Sequence, residues 1–214
     1  MAIKINKLNV NTIQKNKLLL FVSDKNDKSM VIDYLHHNND ITNINIIGEY
    51  TYKYKNINPN IKFYNKIFDK IDTIYVKKED DEKSITIFDL DVISFDEQLI
   101  KKYKLHELIY NCKKFNTTTI IKIDCDTYIE KSVINNCDYI YISSYCTSEK
   151  IYERYMSKYK IKTYELFKKL YDEIFKNNKN WIIINNNSFS NNINKYILYY
   201  NEGIDNDIIT LSNI

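Results

Sequence analysis

The chain has 214 residues, of which 44% are hydrophobic, 14% aromatic and 28% charged, with a formal net charge of +3. That length suits one domain with a single good core, and the composition excludes a disordered chain. The near-balanced charge excludes the strong electrostatic footprint of a general nucleic-acid binder. There are 20 Tyr against only 2 Gly and 1 Pro, in a background of Asn, Ile, Lys and Tyr, whose codons are AT-rich. The bias reads as mutational pressure from an AT-rich genome, such as that of a large DNA virus or an AT-rich parasite. Asn tolerates positive φ better than most residues, so Asn should mark turns that Gly marks elsewhere.

Lys28, Lys62, Lys101, Lys102, Lys113 and Lys114 could form a local basic face, although a solvated lysine-rich surface is the favoured reading. Arg154 is the single arginine, and Arg is the usual residue for phosphate and guanine recognition. Cys112, Cys125, Cys137 and Cys146 lack the close pairs of a zinc site. The segment Met1 to Val10 does not have the pattern of a signal peptide, so these cysteines are expected to be reduced structural thiols. No apolar run approaches the length of a membrane span, and a soluble chain is expected.

Lys17 to Val22 is a continuous apolar run that fits a strand buried on both faces. After a polar loop, Ser23 to Asp27, the spacing of Met30, Val31, Tyr34 and Leu35 predicts a helix from about Lys28 to His37. Ile44 to Ile47 and Asn60 to Phe63 follow as strands. Ser84 to Phe88 is a strand ending in Asp89, and Phe95, Leu99, Tyr103, Leu105, Leu108 and Ile109 suggest helical cover. Thr118 to Ile123 is a strand ending in Asp124, and Asp138 to Ile142 is the next. Helices are expected around Glu149 to Tyr159 and from Tyr164 to Phe175. Trp181 to Ile184 and Tyr196 to Tyr200 close the chain as strands, joined by a hairpin-like turn within Asn185 to Asn194. Strands alternating with helices argue for βαβ units around a mainly parallel sheet. A single domain over 1–214 is expected, with its core at about 17–201 and a poorly ordered tail at 202–214.

Two places could carry chemistry. An apolar strand, a loop and then Lys28-Ser29 opening a helix is where a phosphate-binding P-loop sits: backbone N–H groups cradle phosphates, the lysine reaches the β/γ oxygens and the hydroxyl binds Mg²⁺. Val22 and Asp27 stand where that motif has its two glycines, and Asp24 and Asp27 would repel an anion. A capped helix start explains Lys28-Ser29 as well. The second place is Ile85 to Asp91. A strand ending in Asp89 is the Walker B arrangement, whose carboxylate holds Mg²⁺, but Leu90 stands where hydrolytic enzymes usually place a second acid. Asp89 and Asp91 also satisfy Asp-x-Asp, the nucleophile and acid of haloacid-dehalogenase-type phosphatases, with Lys131 as the candidate lysine. As surface acids at a strand end they need no function at all.

The order of these elements, from about Lys17 to Asn201, resembles the genome-packaging ATPases of poxviruses and other large cytoplasmic DNA viruses, within the FtsK–HerA superfamily. Leu18 to Leu35 looks like the first strand, P-loop and helix. Ile46 to Tyr50 looks like the second strand and its turn, and Ser84 to Val92 like the Walker B segment. Glu107 to Ile123 resembles the segment carrying Gly-Arg-His, Asn and a strand ending in a sensor Gln. Cys112-Lys113-Lys114, Asn116 and Asp124 occupy those places here. Val133 to Ile140 is similar to the family's Ile-Arg-x-Asn-x-Asp-Tyr-Ile stretch, with Ile134 where the Arg belongs, and Glu149 to Tyr155 looks like the acidic-aromatic helix after it.

The resemblance implies a three-layer α/β P-loop NTPase-like domain, a mainly parallel sheet flanked by helices, and a family role in moving DNA into particles. The departures fall on chemistry. The P-loop glycines, catalytic acid, arginine finger and sensor are replaced, and only Lys28, Ser29 and Asp89 remain in matching positions. The expectation is therefore a pseudo-ATPase with no cofactor and no catalytic residue beyond a residual Asp89, acting through a protein partner or self-association. A weak Mg-ATP enzyme using Lys28 and Ser29 for nucleotide and Asp89 for metal is the alternative, and the phosphatase a second one. DNA is a partner by resemblance only, no membrane is expected, and the location implied is the host-cell cytoplasm or the virion. The aromatic helices, with Tyr152, Tyr155, Tyr159, Tyr164 and Tyr171, are the expected interaction surface.

Overall fold

Unbroken apolar runs become strands here because a strand covered on both faces has no wet side to alternate with. The computed structural model describes residues 3–8, 16–38, 41–48, 51–54, 57, 60–64, 84–89, 117–156, 163–176, 180–188, 193–201 and 208–211. Every residue of β2 (Leu18–Ser23) and of β5 (Ser84–Asp89) is buried. So is all of β6 (Thr117–Asp124) except its last residue. The remaining strands are β1 (Ile3–Lys7), β3 (Asn43–Gly48), β4 (Ile61–Tyr64) and β7 (Tyr139–Ser143), then β8 (Asn180–Asn185), β9 (Ile197–Asn201) and β10 (Ile208–Leu211).

They form one ten-stranded sheet in the order β10-β1-β9-β8-β7-β2-β6-β5-β3-β4. From β7 to β4 every pairing is parallel. Only β8 and β10 run against the rest. β6 lies between β2 and β5 and runs parallel to both, so Asp89 and Asp124 end neighbouring strands at the carboxyl edge. That edge is where open α/β sheets bind ligands. Asp138 fixes the other edge, since its carboxylate accepts the Leu18 N–H at 2.8 Å and lies 3.5 Å from Lys17 Nζ.

Alternate residues of β2 feed two cores. Leu18, Leu20 and Val22 pack beneath α2 (Lys131–Asn136), α3 (Ser148–Ile151), the π turn Tyr152–Met156 that continues it, and α4 (Tyr164–Ile174). Leu19 and Phe21 face the opposite layer, where Met30, Val31, Tyr34 and Leu35 of α1 (Ser29–His37) meet them. Three layers result. Thr147 and Thr163 start α3 and α4 by accepting the N–H groups of Lys150 and Leu166 on their side chains, the usual work of an N-cap threonine. A short helical turn, α5 (Ile193–Tyr196), leads into β9. Asn16 has φ 61° just before β2, the turn role expected of asparagine here.

Two sequence expectations need correction. The tail is not wholly irregular: Ile208–Leu211 pairs antiparallel with β1, from Ile3 opposite Leu211 to Asn6 opposite Ile208. Both strands are short, and neither carries an unbroken apolar run that marks it as a strand in the sequence. The aromatic helices are accessible only in part, with Tyr152, Tyr164 and Tyr171 half-buried. Tyr155 is 3% exposed, and Tyr152 packs on Tyr164 and Phe167 while Tyr171 packs on Phe175. Among the described residues, the strongly exposed aromatics are instead Tyr128 (67%) and Tyr145 (66%). Tyr159 and the helical cover expected at 95–109 lie outside the described residues.

Candidate functional site

The loop between β2 and α1 ties itself together. Ser23 donates its hydroxyl to the carbonyls of Asp24 and Asp27, at 3.2 and 3.1 Å. Asp24 Oδ1 accepts the N–H of Asn26 at 2.9 Å. Asp27 Oδ1 accepts both the N–H and the hydroxyl of Ser29, at 3.0 and 2.7 Å. Short-range Asp contacts of this kind are local and strongly favoured. The two aspartates read in the sequence as repelling an anion thus hold backbone and side-chain donors that an anion cradle would offer.

Beneath the loop lies Lys122 of β6, fully buried, its Nζ donating to the carbonyls of Asp24 and Lys25 at 3.0 and 3.3 Å. A buried ammonium needs acceptors to offset its lost hydration, and here the loop's own carbonyls serve. Above it, Lys53 Nζ donates to Asn26 Oδ1 at 3.0 Å.

Lys28 turns inward. Its Nζ lies 2.8 Å from Asp89 Oδ1, and the side chains are only 3% and 2% exposed. The other carboxylate oxygen accepts the hydroxyl of Tyr54, from the short 3-10 helix Thr51–Tyr54, at 2.9 Å. Lys28 is therefore not part of an exposed basic face. Gly48 sits opposite Asp89 in the β3–β5 register, and a Cβ there would come 2.6 Å from the Asp89 carbonyl oxygen. Only glycine admits that approach. Of the residues singled out in the sequence, Lys28 and Asp89 meet, whereas the exposed Ser29 is engaged by Asp27. Asp91, Cys112, Lys113, Lys114 and Asn116 lie outside the described residues.

At the ends of β6 and β7 the reduced-thiol expectation is overturned for one pair. Cys125 and Cys146 form a disulfide with their Cα atoms 5.5 Å apart. Cys137 is not bridged, and its buried thiol donates to the Val133 carbonyl. Around the bridge, Arg154 donates to the carbonyls of Cys125 and Thr127, at 3.0 and 3.3 Å. Lys150 pairs with Asp126, and their hydrogen bond and attraction hold the Asp126 carboxyl below its ordinary range. A hydrogen bond from Tyr164 does the same for Glu149. Asp124, at the expected sensor place, accepts the Asp126 N–H at 2.9 Å. An open cleft of about 550 Å³ follows, lined by Tyr128–Ser132 and Ile134 on one wall and by Glu153 and Arg154 on the other. Lys131 is on this cleft, while the described partners of Asp89 are Lys28 and Tyr54.

Sequence reasoning missed Lys122, Tyr54 and Gly48. Lys122 left one trace, a lone cation inside the run Thr117 to Ile123. Tyr54 left none.

The sequence matches no family model and no curated protein. The fold does find counterparts. The genome-packaging NTPase B204 of Sulfolobus turreted icosahedral virus 2, in complex with ATPγS, aligns with a TM-score of 0.54 at 12% identity, over 90% of this chain and 98% of that one. B204 of Sulfolobus turreted icosahedral virus, described as its DNA-packaging ATPase, gives 0.54 at 12%, over 86% and 97%. TcpA, the pCW3 conjugation coupling protein, in monomer form with ATPγS, gives 0.52 at 7%, over 94% of this chain and 65% of its own. At such identities the likeness is one of fold: a P-loop NTPase-type α/β domain, as the order of sequence elements implied.

Proposed function

We infer that this chain, a packaging-NTPase-like fold whose phosphate loop is occupied by its own side chains, is a catalytically inactive pseudo-ATPase. It serves as a binding or assembly protein in virion morphogenesis or DNA packaging of a large DNA virus. The observation that carries this reading is the loop. Asp24 and Asp27 hold the donors of Asn26 and Ser29, and Lys28 is spent on Asp89. A triphosphate would have to displace two carboxylates and separate a buried ion pair, with no glycine to let its oxygens approach. Arg154 grips backbone carbonyls instead of standing ready for a phosphoryl group. Its partner is another protein or a further copy of the chain, with DNA as a partner by resemblance, and its place is the host-cell cytoplasm or the virion.

Calorimetry with Mg-ATP tests this. No binding tighter than roughly millimolar is expected. Micromolar affinity that disappears in Lys28→Ala would overturn it and promote the weak-ATPase reading, which the meeting of Lys28 with Asp89 favours. A phosphatase screen with Asp89→Asn as control addresses the remaining alternative.

A further inference from the structure

We propose that the Cys125–Cys146 disulfide is a reversible redox clasp over the end of β2, one that sets the order of the loops at the carboxyl edge of the sheet. The argument starts from topology. β6 and β7 are not neighbours; they flank β2 on its two sides. Two strand spacings amount to about 9–10 Å, yet the Cα atoms of Cys125 and Cys146 are 5.5 Å apart. The loops leaving β6 and β7 therefore converge across the tip of the strand between them.

The contacts beneath the bridge agree. The Cys125 N–H donates to the Ser23 carbonyl at 3.1 Å, and Cys146 Sγ lies 4.0 Å from the Val22 carbonyl oxygen. Val22 and Ser23 are the root of the loop that ends in Lys28. The bridge also joins the stems of both walls of the cleft, since Tyr128–Ile134 follows Cys125 and Glu153–Arg154 follows Cys146.

Both redox states have a place to rest. Cys125 is partly exposed and gives a reductant its point of attack, whereas Cys146 is 3% exposed. Attack by a dithiol thiolate on the Cys125 sulfur breaks the S–S bond and releases the Cys146 thiolate, which takes a proton. The second thiol of the reductant then displaces the Cys125 thiolate, which is protonated in turn. Two electrons and two protons have entered the protein, and the reductant leaves as a disulfide. The new S–H at Cys146 finds the Val22 carbonyl as acceptor. The Lys150–Asp126 pair and the Arg154 bonds to the Cys125 and Thr127 carbonyls involve neither sulfur, so reduction should loosen the loops without parting the sheet.

The test uses the full chain, equilibrated in buffers of graded dithiol-to-disulfide ratio. Differential alkylation reports the bridge, with buried Cys137 as internal control. Amide hydrogen exchange reports the loops. One reversible transition is expected, with exchange at Ser23–Lys28 and Cys125–Ser132 rising about tenfold on reduction while Ile85–Phe88 stays unchanged. The Cys125→Ser/Cys146→Ser variant should match the reduced form at every ratio. The proposal is overturned if both cysteines alkylate before any reductant is added, or if reduction leaves loop exchange unchanged. Should the variant not fold, the titration of the native chain decides alone.

Discussion

Lys28 Nζ and Asp89 Oδ1 face each other at 2.8 Å in a site almost closed to water, joining the start of α1 to the end of β5 across the intervening β6. Removing one member strands the other as a buried charge. Lys28→Met and Asp89→Asn should each cost about 3–5 kcal/mol in urea unfolding, and the double variant much less than their sum. Additive losses would mean that the pair contributes nothing as a pair.

Gly48→Ala brings a methyl group to 2.6 Å from the Asp89 carbonyl oxygen. Backbone cannot swing aside as a flexible side chain would, so β3 and β5 must part. A loss of about 1–3 kcal/mol is expected from the shift in melting temperature. An unchanged melting temperature would refute the close approach.

Alkali should unfold the protein early. Burial pushes the phenols of Tyr155 and Tyr196 up to about 12, and raises those of Tyr34 and Tyr141 as well. Below about pH 10 these tyrosines are protonated in both states and their contribution is fully present. Above it the unfolded chain releases protons that the folded one retains, so stability falls, by at most about 1.4 kcal/mol per pH unit for each tyrosine. Thermal melts between pH 8 and 12 check the direction, and tyrosinate absorbance should rise together with unfolding.

Deleting 202–214 removes β10 and bares the hydrogen-bonding edge of β1. Unpaired edges recruit other chains. Sedimentation velocity should show concentration-dependent association of the shortened protein that the full chain lacks at the same concentration.

The interior of the fold was legible because Leu18 to Val22, Ser84 to Phe88 and Thr118 to Ile123 are buried on both faces, which leaves a mark in sequence that no partner is needed to read. The β10–β1 end of the sheet was not: Ile3 to Lys7 alternates lysine and asparagine with isoleucine, and only its distant partners make it a strand. At the site, Lys28 and Asp89 could be named from their positions at the ends of apolar runs. The acids of the loop could be named too, but their hydrogen bonds to Asn26 and Ser29 depend on a turn geometry that residue types do not specify. Cys125 and Cys146, separated by 21 residues, meet only because their strands flank a third.

The pairing of β1 has a bearing on when the protein can finish folding. Its partners, Leu198–Tyr199 on one side and Ile208–Leu211 on the other, lie near the opposite end of the sequence. At about 5–20 residues per second of synthesis, roughly 10–40 seconds pass before a partner for β1 emerges from the ribosome. During that interval the parallel core from β2 to β7 can assemble, while β1 waits as exposed, isoleucine-bearing chain. Whatever escorts the nascent protein should therefore be found on β1, and should leave only once Leu198–Tyr199 has emerged to pair with it.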